Sequence, residues 1–152
     1  MQIADFLSER VIIPVLAGQT KGGVLEELAE SAAQNLEIDS RGLLNTLWER
    51  ERLGSTAIAE GIAIPHARLS GVSKLAAVFG RHPQGVDFES LDGSPTNLFF
   101  MLIVPQESAG EHLKVLARVS RLMKNATLRT SLMTARDGHE IYRRLVEQDA
   151  RP

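Results

Sequence analysis

Cysteine is absent from the 152-residue chain, which excludes a disulfide-stapled miniprotein and removes thiolate nucleophiles, zinc fingers and iron–sulfur clusters. Long hydrophobic runs are lacking as well. The longest strongly apolar stretch, Leu98 to Val104, has seven residues, against roughly twenty for a membrane span. The opening Met1-Gln2-Ile3-Ala4-Asp5 shows no basic segment followed by an apolar one of the kind a secretory signal needs. A soluble, cytoplasmic protein with no membrane insertion is the expectation. Charge of one sign does not dominate either: 17 Lys and Arg against 19 Asp and Glu leave −2, too little to draw nucleic acid to the molecule as a whole. Low-complexity tracts, Pro/Gly-rich linkers and repeats of solenoid period are missing too.

What is present is ordinary globular composition, 43% apolar and 24% charged, on a length that suits one domain over residues 1–152 at about 150 residues per domain. Val24, Leu25, Leu28, Ala29, Ala32 and Leu36 recur at helical spacing, with Thr20 as candidate N-cap. A second helix starts at Asp39 or Ser40, buries Leu43, Leu44, Leu47 and Trp48, carries Arg50 and Arg52 in its last turn and stops at Gly54. The period then changes. Ile62 and Ile64 alternate with small residues in a short strand that Pro65 ends. Leu75–Phe79 reads as another strand, Gln84-Gly85 as a turn, Val86–Phe88 as a brief alternating piece and Asp92-Gly93 as a second turn. Leu98–Val104 has no polar face and suits a central strand covered on both sides. Three helices follow, from near Glu111, from Thr127 and from Asp137, the last with capping-box spacing to Glu140. The expected fold is α/β, a mixed central sheet flanked by helices on both faces.

The chemistry is limited. Gly18, Gly22 and Gly23 surround Thr20 and Lys21 but miss the spacing of a phosphate-binding loop. Four histidines, His66, His82, His112 and His139, contain no pair at metal-ligand spacing. His82 lies in Arg81-His82-Pro83-Gln84-Gly85 and reads as a solvated turn residue, while His139 reads as exposed in the first turn of its helix. His112 falls on the apolar stripe of Val115, Leu116, Val119 and Met123, where a satisfied core histidine is the plain reading. His66 stands just past Gly-Ile-Ala-Ile-Pro, at the end of a strand, where a functional group and a simple turn residue are both compatible with the spacing. Arg118, Arg121, Lys124 and Arg129 read as the solvated sides of two helices.

Arg50-Glu51-Arg52-Leu53-Gly54-Ser55-Thr56, then Glu60-Gly61-Ile62-Ala63-Ile64-Pro65-His66, then Asp92-Gly93-Ser94-Pro95 before Leu98–Pro105, and last Glu111-His112-Leu113 together resemble enzyme IIA of the fructose/mannitol type in the bacterial phosphoenolpyruvate-dependent phosphotransferase system. This is the EIIA type-2 domain. The resemblance runs from about Val11 to Leu145, and Gly54-Ser55-Thr56 makes the chain most similar to the nitrogen-regulatory branch. It departs from the common pattern at Ala67, where many relatives have Gly, and at Arg68, where Lys is frequent.

The resemblance implies that His66 accepts a phosphoryl group through Nε2 from a histidine-containing phosphocarrier protein of the HPr or NPr type, and that His112 and Arg50 flank it. No cofactor and no metal is implied. It further implies either a regulatory protein signalling nitrogen, carbon or potassium status to target proteins, or a sugar-specific enzyme IIA passing the group to a IIB domain. A binding module that keeps the fold without using the histidine is a third reading. Chemically, an imidazole with a pKa near 6.5 has the neutral form needed for attack. A backbone carbonyl holding Nδ1–H would present Nε2, the Arg50 guanidinium would meet phosphoryl oxygens, and the helix starting near Glu111 would add N–H groups and its dipole. Glu60 is read either as an orienting carboxylate for Arg50 or a ring, or as an exposed loop residue. Ile62, Ile64 and Leu69 are read either as an apolar collar round the imidazole or as core.

Overall fold

The apolar stripes and caps seen in the sequence become helices in a computed structural model of the chain, which describes residues 1–151. The first helix, α1 (Lys21–Leu36), is capped by Thr20, whose hydroxyl accepts the Gly23 N–H, and buries Val24, Leu25, Leu28, Ala29 and Ala32. α2 (Ser40–Arg52) is capped by Asp39 through the Gly42 N–H and buries Leu43 and Leu47. Helices α3 (Ala109–Met123), α4 (Ala126–Thr134) and α5 (Gly138–Ala150) close the chain, the last capped by Asp137 on the Glu140 N–H. α3 begins two residues before Glu111.

Five strands form one mixed sheet: β1 (Ile12–Ile13), β2 (Ile62–Ala63), β3 (His66–Leu69), β4 (Ala76–Val86) and β5 (Thr96–Pro105). β5 lies between antiparallel β4 on one side and β2 and β3, both parallel to it, on the other, while β1 extends the sheet beyond β4. Leu98 to Val104 are each 2% exposed or less, as a strand covered on both faces requires. α2 packs on β3, α1 on β4 and α5 on β1.

Two sequence expectations about strand ends are corrected. Pro65 does not end the edge strand. It interrupts it: β2 pairs with β5 at Ile62 opposite Leu98, and pairing resumes with His66 opposite Leu102. The Pro65 nitrogen faces β5 but has no N–H to give, so the ladder lapses there, while the Pro65 carbonyl still accepts the Leu102 N–H at 2.9 Å. Likewise β4 runs on through Pro83-Gln84-Gly85, with a register shift between Arg81 and Val86 that absorbs the anticipated turn as a bulge. His82 is therefore 5% exposed rather than solvated. Its Nε2–H donates to the Gly18 carbonyl at 2.9 Å and its Nδ1 accepts the Gly85 N–H at 3.0 Å.

Gly18, the glycine just before α1, is also packed against the helix start. A Cβ on Gly18 would lie 2.6 Å from the Gly23 carbonyl carbon and 2.7 Å from the Val24 nitrogen, so the loop presses directly on the helix start. Gly18→Ala is expected to cost about 2 kcal/mol through overpacking and to lower Tm by roughly 4–8 °C for a chain of this size. Thermal denaturation by circular dichroism checks it, and an unchanged Tm would contradict the close approach.

Candidate functional site

Four segments meet at His66: β3, which carries it, the end of α2, the start of α3, and the loop before β2. The broken edge strand sets the ring's orientation. Nδ1 lies 3.0 Å from the Ile64 carbonyl oxygen. A carbonyl only accepts, so Nδ1 carries the proton and Nε2 keeps its lone pair. Ala67 follows in β3 opposite Ile103, and its φ is not positive, so the backbone there has no need of the glycine common in relatives.

His112, in the first turn of α3, places its ring 5.3 Å from that of His66, centroid to centroid, in an edge-to-face arrangement. It is half-buried, and among the described residues its buried Nδ1 has no hydrogen-bond partner. The plain reading of His112 as a satisfied core histidine is thus not what the structure shows. Among the described residues no side chain caps α3: the Ser108 hydroxyl donates to the Pro105 carbonyl instead. The first-turn N–H groups and the positive end of the helix dipole therefore stand beside the two imidazoles.

Arg50, in the last turn of α2, is half-buried and donates from Nη1 to the Gly54 carbonyl at 2.8 Å. Its charge reaches His66. Burial is the main cause that pushes the His66 pKa below its ordinary value of 6.5; the Arg50 charge acts in the same direction, while the Ile64 bond and the Glu51 carboxylate oppose it. The His112 pKa is lowered too, first by burial and then by His66 and Arg68. Both rings are consequently neutral near pH 7.

Glu60 does not orient Arg50. Its carboxylate, largely exposed, pairs with Arg129 of α4 at 2.7 Å, and its N–H donates to the Asp92 carboxylate at 3.0 Å. With φ of 61° at Glu60 and 77° at Gly61, these contacts hold a left-handed turn that sends the chain into β2. The Ser94 and Ser90 hydroxyls and backbone N–H groups hold the Asp92 carboxyl well below the usual carboxylate range. Arg129 is correspondingly not a solvated side chain: it also donates to the Met123 and Lys124 carbonyls. Arg118 is tied to Asp149 at 2.8 Å, whereas Arg121 and Lys124 are exposed as expected.

Ile62, Ile64 and Leu69 are half-buried against the core. The freely exposed apolar side chains near the site are others, Leu53 just after Arg50 and Leu113 just after His112, at 84% and 68% exposed. Sequence reasoning also missed Glu51 and Thr56, both buried. One signal was available: Glu51 continues the Leu43, Leu47 stripe at the next fourth residue, so a helix packed by that face must bury a carboxylate. Among the described residues no group of three His, Asp or Glu side chains is placed to hold a metal ion, and no helix is long and apolar enough to cross a membrane.

Known proteins resemble the chain in both sequence and fold. The family model described as phosphoenolpyruvate-dependent sugar phosphotransferase system, EIIA 2, matches residues 5–148. The chain is 38% identical over 142 residues to a nitrogen regulatory protein of Bradyrhizobium diazoefficiens, covering 93% of each. It is 35% identical to a fructose-specific EIIA component from Haloferax volcanii, covering 84% of each. The crystal structure of nitrogen regulatory protein IIA-Ntr from Neisseria meningitidis superposes with a TM-score of 0.88 at 32% identity, over 94% of this chain and 98% of that one. With the family model spanning residues 5–148 and these relatives matched over nearly their whole length, the chain belongs to the EIIA type-2 family of the phosphoenolpyruvate-dependent sugar phosphotransferase system.

Proposed function

We propose that residues 1–152 form one EIIA type-2 domain whose His66 takes a phosphoryl group from a histidine-containing phosphocarrier protein and whose phosphorylation state regulates partner proteins. The observation that carries this is the Nδ1–H of His66 committed to the Ile64 carbonyl at 3.0 Å, which reserves Nε2 for phosphorus. In the transfer, the Nε2 lone pair forms the new N–P bond as the donor's N–P bond breaks. The donor imidazole leaves with that electron pair, and Nδ1–H of His66 stays in place. Such a transfer passes through a loose, in-line transition state in which positioning and charge stabilisation supply the catalysis. Arg50, His112 and the uncapped start of α3 are the groups that would meet the phosphoryl oxygens. Leu53 and Leu113, exposed shortly after Arg50 and His112 in the chain, would give a protein donor apolar contacts that exclude water from the transfer.

Regulation is favoured because both the Bradyrhizobium relative and the Neisseria structure are named nitrogen regulatory proteins; nitrogen, carbon or potassium status is what such a regulator would report. The second reading, a sugar-specific enzyme IIA that hands the group to a IIB domain, has the fructose-specific relative in its favour. Reconstitution with phosphoenolpyruvate, enzyme I and phosphocarrier, followed by mass-spectrometric mapping, should place one phosphoryl group on His66. Label on His82, His112 or His139 would overturn the assignment. Rapid discharge of the phosphorylated protein to a IIB domain would favour sugar transport.

Acidity supplies a further check. Because the folded pKa of His66 lies below 6.5, the rate of phosphoryl acceptance should stay level from about pH 8 down past 6.5 and fall only below it, as the ring protonates. In the same window the unfolded chain binds the extra proton first, so stability also declines as pH drops below 6.5. Stopped-flow acceptance rates across pH, with the carrier's own titration subtracted, measure the first effect. An acid limb centred above 6.5 would contradict it.

A further inference from the structure

We propose that Glu51 and Thr56 are positioning residues for His66, a buried strut that fixes the Ile64 carbonyl and thereby the nitrogen that His66 offers. The proposal rests on the reading of His66 as the phosphoryl acceptor and extends it to residues that touch neither phosphorus nor the imidazole.

The strut can be followed bond by bond. Lys21 Nζ, at the first residue of α1, lies 3.0 Å from Glu51 Oε1, with the Glu51 side chain 1% exposed. Lys21 also approaches Glu89 at 3.1 Å and sits over the Phe88 ring, 4.8 Å from its centroid. Glu51 accepts the Thr56 N–H at 3.1 Å and the Thr56 hydroxyl in a short bond. The Thr56 carbonyl then accepts the Ile64 N–H at 3.2 Å, and Ala57 forms an antiparallel bridge with Ala63. Finally the Ile64 carbonyl accepts Nδ1–H of His66. On the other side, the Leu102 N–H holds the Pro65 carbonyl at 2.9 Å. The segment Ile64–His66 is thus clamped between Thr56 and β5.

Stability alone is a poor reason for this arrangement. Replacing a buried ion pair by apolar residues is often neutral or stabilising, because desolvation offsets the Coulombic gain. What the ion pair supplies here is register. Arg50 and Glu51 are consecutive on α2, so the carboxylate that anchors the His66 segment sits on the same helical turn as the guanidinium, and the two are fixed relative to each other without touching. A loose Ile64 carbonyl would let the ring exchange its proton to Nε2, the tautomer that cannot attack.

The test uses the full chain, labelled with 15N-histidine, as wild type, Thr56→Val, Thr56→Ser and Glu51→Gln. Acceptance rate from phosphocarrier and the His66 tautomer, read from two-bond 1H–15N correlations, are measured below the melting temperature of each variant. Thr56→Ser keeps the hydroxyl and should stay within about twofold of wild type, whereas Thr56→Val and Glu51→Gln should each slow acceptance about tenfold, the worth of one hydrogen bond. Both slow variants should show Nε2–H admixture at His66. Wild-type rates in both, or slowed rates with His66 still purely Nδ1–H, overturn the strut, the second result marking a general folding effect. Should Thr56→Val not fold, Glu51→Gln decides alone on the same criteria. Wild-type protein labelled elsewhere than His66 would instead overturn the acceptor reading, which the tautomer measurement does not depend on.

Discussion

His66→Ala is expected to abolish phosphoryl acceptance, with the rate at least about 10⁴-fold below wild type, because the variant has lost its nucleophile and nothing else can form the N–P bond. Its fold should survive. The edge strand is held by backbone bonds that the substitution leaves alone, Ile64 N–H to Thr56 and Leu102 N–H to Pro65, and the ring removed is only half-buried. Tm within a few degrees of wild type would show that the loss is chemical. His112 should not substitute for His66. Its ring is close, but its Nδ1 is buried among the described residues without an acceptor to fix the proton, so no tautomer is imposed on it. The deciding measurement is phosphoenolpyruvate-dependent incorporation into the purified variant, and label at any appreciable fraction of the wild-type level would remove His66 from the centre of the mechanism. His66→Gln, which keeps bulk and a polar tip, should be equally inert and controls for a cavity effect.

Such expectations could be framed because local signals and local structure coincide at the helices. Thr20, Asp39 and Asp137 each stand four residues before the first apolar residue of a stripe, and each proves to be an N-cap; the capping bond spans only three residues, so nothing distant can override it. Leu98–Val104 was legible for a related reason, since a strand without a polar face has nowhere to go but the middle of a sheet.

The misreadings lie where long-range pairing decides. Arg81-His82-Pro83-Gln84-Gly85 has the composition of a loop, yet Arg81 is buried because its guanidinium reaches the Pro14, Leu132 and Ala135 carbonyls. His82 is buried because Gly18, 64 residues away, accepts its proton. Those acceptors exist only after the sheet and α4 have assembled, so no window of sequence holds them. Pro65 misled for a different reason: its missing N–H interrupts the ladder to β5 but does not shift the register, so pairing resumes at His66 opposite Leu102. Of the site itself, the identity of His66, His112 and Arg50 came from motif resemblance. The proton on Nδ1 and the Glu51–Thr56 contact needed coordinates, because they depend on how Ile64 turns before the strand resumes.

Arg50→Ala is the second large effect expected, a fall of about 10²-fold in the transfer rate constant, the usual cost of deleting one preorganised donor that meets charge developing in the transition state. The Gly54 carbonyl, 2.8 Å from Nη1, holds the guanidinium in place in the unphosphorylated protein, so little reorganisation is needed when the phosphoryl group arrives. Arg50→Lys should recover only part of the rate, because a single ammonium cannot reproduce the two-pronged contact with phosphoryl oxygens. Single-turnover measurements at saturating phosphocarrier separate this from docking: a defect confined to the apparent Kd, with the rate constant intact, would assign Arg50 to partner binding instead. The pH profile offers an independent readout with a definite sign. The Arg50 charge helps depress the His66 pKa, so removing it should move the acid limb of the profile upward, toward 6.5. His112→Ala should act more weakly, about tenfold as for a single hydrogen-bond donor, and should move the acid limb in the same direction only if the His112 ring carries charge at the pH of measurement. An Arg50→Ala protein with a wild-type rate constant and an unmoved acid limb would show that α2 contributes only its backbone to the site.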